Sequence, residues 1–90
     1  MAGQLYAADP PEELRRIELD GLVALFHLPS GMTHIVAPPA PQILDALGAG
    51  PADAAEILAR MRVHFDVEEG ADAVAARLAE LETVGLVRRQ

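Results

Sequence analysis

Ninety residues leave room for one domain and one modest core, which excludes a second catalytic domain or a large buried cavity. Fourteen acidic side chains stand against seven basic ones, all of them arginine, and a net charge of −7 repels a phosphate backbone, so nucleic acid is not the expected partner. The absence of cysteine removes disulfides, thiolate nucleophiles and thiolate metal sites together, and with only 3% aromatic residues the core must be built from Leu, Ile, Val and Ala.

Residues 1–13 carry no helical or strand period and contain the breaker pair Pro10-Pro11, which predicts a flexible N-terminal arm or a loosely packed lead-in before a single domain over 14–90. No basic stretch leads into an apolar one there, and no later run approaches the roughly 20 apolar residues that span a bilayer. A cytoplasmic location away from membranes is expected.

From Leu14 the pattern changes: Arg16 and Glu18 alternate with Ile17 and Leu19, the period of an edge strand with one wet face. Asp20-Gly21 suits a two-residue turn, because its geometry needs positive φ at both positions. A second strand follows over 22–28, with Val23 and Leu25 on one face and Leu22, Ala24, Phe26 and Leu28 on the other; apolar on both sides, it suits the centre of a three-strand meander. Pro29-Ser30-Gly31 turns the chain, and Met32, Thr33, His34, Ile35 and Val36 return as a third strand whose free edge carries no internal proline or charge to block pairing.

Pro38, Pro39 and Pro41 stop that strand and suit the first turn of a helix with Ile43, Leu44 and Leu47 as its apolar stripe. Gly48 and Gly50 are expected to close it through a left-handed cap. A second helix is expected from about Asp53, with Ile57, Leu58, Met61 and Phe65 at helical spacing, and a third from about Asp72, with Val74, Leu78 and Leu81. Asp53 and Asp72 are both placed to cap free N–H groups. Gly85 ends the third helix, and Leu86 and Val87 fold back onto the core. Asp66, Glu68, Glu69 and Asp72 form an acidic connector that is either a solvated loop or a lure for a cationic peptide. The fold class is α+β, a three-stranded antiparallel meander followed by three helices, winged-helix-like in its wiring.

Little in the chain points to covalent chemistry. If Ser30 and Gly31 are the two turn residues, His27 stands opposite His34, yet two histidines without a further ligand fall short of a metal site, and no metal or other cofactor is expected. His64, next to Phe65, suits capping or packing. Ser30, the single serine, lacks the context of a nucleophile, and the paired carboxylates lie in polar surroundings that leave them ordinary. No catalytic residue is assigned. As a DNA reader the third helix would offer Arg77 against Asp72, Glu80 and Glu82, a poor set for phosphates or base edges.

The turn PSG, the strand THIV running through a proline-rich link into PQIL, the helix opened by GPADAAEI and the terminal LAELETVGLV together resemble the PqqD family of peptide chaperones, also known as the recognition element of ribosomally made, post-translationally modified peptides. The likeness covers Asp20 to Arg88, and LFHLPSGMTHIV is similar to the branch found beside HPr-kinase-like proteins. Pro38 and Pro39 depart from the family's link, which often contains Asn. The resemblance implies a non-catalytic adaptor that captures a precursor (leader) peptide as an extra strand and presents it to a modifying enzyme, here an HPr-kinase-like one. It places the peptide on the edge Met32, Thr33, His34, Ile35 and Val36, against a helix wall of Val74, Arg77, Leu78 and Leu81. An open edge supplying main-chain bonds beside an apolar helix face leads to the same groove on physical grounds. The alternatives are a winged-helix DNA-binding regulator and a small structural subunit that forms a homodimer through the third strand.

Overall fold

A computed structural model describes residues 3–90 and has the α+β order expected: a three-stranded antiparallel sheet followed by three helices. The chain runs through β1 (Tyr6–Ala8), a 3-10 turn (Pro11–Glu13), β2 (Leu14–Leu19), β3 (Leu22–His27), β4 (Met32–Val36), α1 (Ala40–Leu47), α2 (Ala54–His64), α3 (Ala71–Thr83) and β5 (Val87–Arg89). Among the described residues no helix is long and apolar enough to cross a membrane.

The sheet order is β2-β3-β4, with β3 central. Asp20 and Gly21 join β2 to β3 with φ of 27° and 89°, the two positive values that a tight hairpin turn matching strand twist requires. Leu25 and His27 are buried on the side facing the helices, while Leu22, Ala24 and Phe26 point the other way. The helices supply most of the core: Ile43, Leu44 and Leu47 from α1, Ile57, Leu58 and Met61 from α2, and Val74, Leu78 and Leu81 from α3, with Leu86 and Val87 closing it after Gly85 turns the chain at φ 82°. Arg60 locks α2 to the end of α1, its guanidinium donating to the carbonyls of Ala46 (3.0 Å) and Gly50 (2.7 Å).

Several expectations need correction. The N-terminal lead-in is part of the fold: β1 pairs antiparallel with β5, matching Tyr6 to Arg89 and Ala8 to Val87, and Tyr6 exchanges main-chain bonds with Ala52. Three residues are too few to show a period, and their partner lies at the other end of the chain. The turn between β3 and β4 is the four-residue loop 28–31, closed by the Gly31 N–H donating to the His27 carbonyl at 2.8 Å with Gly31 at φ 70°. His27 therefore faces Met32, and His34 faces Leu25. Gly48 keeps a right-handed helical φ of −60°, so the left-handed turn falls at Gly50, φ 129°. Asp53 caps α2 as expected, accepting from the Glu56 N–H at 2.8 Å, but α3 begins at Ala71 after Gly70, and Asp72 lies inside its first turn without capping it. Phe65 lies past the end of α2 and is 41% exposed.

One polar cluster fastens the N-terminal segment to the sheet. His27 Nε2 donates to Asp9 Oδ2 (2.5 Å), Arg88 donates to Asp9 Oδ1 (3.0 Å), and His27 Nδ1 shares a 2.7 Å hydrogen bond with Ser30 Oγ. The hydrogen bond from His27, helped by Arg88, holds the Asp9 carboxyl below its ordinary value against the opposing effect of burial. A depressed carboxyl pKa contributes stability above the unfolded value, and that contribution is lost as pH falls through the folded value. Asp9→Asn is therefore expected to lower Tm at neutral pH by roughly 5–10 °C, on the basis of about 1–2 kcal/mol for a hydrogen bond to a charged group. Thermal melts across the acid range should show wild type and variant converging below about pH 4; a gap that stays constant would mean that Asp9 contributes through packing alone.

Candidate functional site

β4 is an edge of the three-stranded sheet, and the register shows which of its main-chain groups are free. The Leu28 N–H donates to the Glu13 carbonyl at 2.9 Å, continuing the ladder in which Leu14 faces His27. Hydrogen-bonding direction alternates along a strand, so Leu22, Ala24 and Phe26 bond towards β2 while Val23, Leu25 and His27 bond towards β4. Their β4 partners are Val36, His34 and Met32. It follows that Thr33 and Ile35 direct their N–H and C=O groups away from the sheet.

Beside this edge runs a groove of about 510 Å³. Ile35 and Val36 of β4 form one bank, continued by residues 37–39 of the link, where the Pro38–Pro39 peptide is cis. The other bank is α3, through Ala73, Val74, Arg77, Glu80 and Leu81, with Val84 beyond its end. Met61 of α2 and Val67 and Glu69 of the acidic connector complete it.

The residues assigned from the sequence are brought together unevenly. Ile35, Val36, Val74, Arg77 and Leu81 all border the groove. Val74 and Leu81 are 1% and 4% exposed, so they form its floor while packing into the core. Leu78 is 0% exposed and belongs to the core alone. Met32 and Thr33 are exposed and His34 is half-buried, all outside the groove's lining, although Thr33 contributes its outward main chain. Val67, Ala73 and Val84 were missed by sequence reasoning, and Glu69 was read only as part of the acidic connector. The signal for Ala73 was available, one position before Val74 on a helix already assigned; Val67 lay unnoticed within an acidic stretch.

Arg77 Nη1 donates to both carboxylate oxygens of Glu80, at 2.8 and 2.6 Å, and this pair forms a charged rim above the apolar floor. Both side chains are largely solvated, so the pair adds little to folding. The Ser30, His27 and Asp9 side chains stand in sequence like a hydrolytic relay, a constellation the sequence reading missed because Asp9 lies on the N-terminal lead-in, apart from the hairpin that carries His27 and Ser30. His27 is 7% exposed, the Met32 N–H also donates to Ser30 Oγ (3.3 Å), and neither His27 nor Ser30 lines the groove. Among the described residues no three His, Asp or Glu side chains are grouped to hold a metal ion.

Comparison of the chain with protein-family models, with curated proteins and with solved structures finds no match.

The difference between floor and rim is measurable. Leu78→Ala should cost about 2–5 kcal/mol as a buried truncation, whereas Arg77→Ala should change stability by less than about 1 kcal/mol. Urea unfolding of the two variants checks this; a large loss for Arg77→Ala would make it a structural residue and remove it from the rim.

Proposed function

We propose that this protein is a peptide-binding adaptor that captures an extended segment by strand addition at β4 and presents it to a modifying enzyme. The observation that carries the reading is the adjacency of outward main-chain groups on Thr33 and Ile35 to an apolar groove bounded by α3. An added strand would find two residues there, each offering one donor and one acceptor, and alternate side chains of the ligand would enter the groove. Arg77 and Glu80 at the rim, with Glu69 opposite, suit a ligand that carries charge next to its apolar anchors.

The resemblance to PqqD-like chaperones supports this reading and suggests a leader peptide as ligand, an HPr-kinase-like enzyme as recipient and the cytoplasm as the setting. Charge supports a peptide over DNA. Along α3, Arg77 is paired with Glu80, and Asp72 and Glu82 add further negative charge, leaving no cationic helix face for a phosphate backbone.

Selection from a display library of random peptides on the intact protein would provide a probe, and fluorescence anisotropy would measure its affinity. Because Thr33 and Ile35 do not bond into the sheet, Pro at either position removes an edge donor and leaves the ladder with β3 intact. Ile35→Pro should weaken binding at least tenfold, by about 1.4 kcal/mol or more, while Ile35→Ala, which keeps the N–H, loses less. Peptides that bind Ile35→Pro and Thr33→Pro as tightly as wild type, with circular dichroism showing both folded, would rule out strand addition here. A mobility shift with duplex DNA at low salt would favour the winged-helix regulator instead.

A further inference from the structure

β2 is amphipathic in the opposite sense to a strand that simply covers a core. Its polar residues Arg16 and Glu18 share the helix-facing side, where Arg16 pairs with Asp45 of α1 at 2.8 Å, while Ile17 and Leu19 point to the outer side and are 64% and 45% exposed. Cross-strand pairing extends that outer face through Leu22 and Phe26 of β3 and Ile35 of β4, all of them exposed. A solvent-facing sheet surface in a protein of this size normally carries the polar half of the alternation. Here it carries the apolar half.

We infer that this outer face is the interface of a homodimer, in which two copies pack sheet against sheet about a two-fold axis. Two features favour a second copy as the occupant, and a third sets the strength of the contact. The first is shape: Ala24 lies between Ile17 and Ile35 in one cross-strand row, so its small side chain leaves a hollow that a ridge from an identical face can enter. The second is charge: Arg15 stands at one end of the outer face and Asp20 at the turn at the other, and among the described residues neither has an ion-pair partner. A two-fold axis lying between the sheets and perpendicular to the strands brings each Arg15 over the other copy's Asp20. The third is area: three strands of about six residues make a footprint of roughly 15 by 20 Å, so two such faces bury on the order of 600 Å², below the roughly 1,000 Å² of a stable interface and in the range of a weak, transient contact. The outcome is a weak, reversible dimer that leaves both β4 edges free. It does not depend on what those edges bind.

Sedimentation velocity of the full chain from about 5 to 500 µM, the range in which an interface of this size should associate, tests the inference. Wild type should move from monomer to twice the monomer mass. Ile17→Glu, at an exposed position that the monomer does not need, should weaken association at least about tenfold with an unchanged circular dichroism melt, because it buries an unpaired charge. Arg15→Gln and Asp20→Asn should each weaken it by about two- to fivefold, and the double variant no more than the worse single one, since both remove the same pair. Arg77→Ala, on the groove rim and away from the outer face, should dimerise like wild type. A monomer at every concentration overturns the inference, as does a dimer that survives Ile17→Glu or one that Arg77→Ala abolishes, which would place the contact at the groove.

Discussion

A three-stranded sheet can be covered on only one face by three short helices, and in this protein the cover is secured by few side chains. Leu25 is the one apolar residue of the sheet buried completely; Leu14, Val23 and Val36 are only partly covered around it. Polar ties complete the attachment, from Arg16 to Asp45 and from His27 through Asp9 to Arg88. Because the sheet rests on the helices through a narrow central contact, its β4 side stands away from α3 and leaves a groove there.

α3 is shared between two tasks with opposing demands. Leu78 faces inward and serves stability, while Val74 and Leu81 both close the core and form the groove floor. A close-packed interior tolerates little change in volume at such positions, so the floor cannot be altered freely. Under the proposed reading, freedom to recognise one peptide rather than another lies at the rim, with Arg77, Glu80 and Glu69, and in the link of Ala37, Pro38 and Pro39. Those positions contact solvent and carry little folding energy.

Local signals survived folding where their cause was local. Asp20-Gly21 made its turn because positive φ is a property of those two residues, Asp53 capped α2 because an N-cap bond spans three positions, and the meander appeared because each strand pairs with its chain neighbour. The groove was legible to the same extent: an edge strand without guards and a helix with an apolar stripe could be read, although the stripe could not be divided between floor and core. Ambiguity entered where two local solutions compete. A two-residue and a four-residue loop both fit Leu28-Pro29-Ser30-Gly31, and the longer one, held by Ser30 bonding to His27, moved the register by two and separated the histidines.

By itself the sequence determined the class of fold, the order of the meander and the three helices, and the Asp20-Gly21 turn, since these follow from periodicity and from backbone preferences within a few residues. Tertiary structure alone decided that Tyr6–Ala8 pairs with Val87–Arg89, that Asp9 meets His27 and Arg88, and that Ile17 and Leu19 look outward rather than into the core. Alternation specifies that a strand has two unlike faces but not which one the helices cover. That choice depended on where Arg16 could find Asp45 and where Leu25 could be buried, and both partners lie on helices that the chain reaches only later.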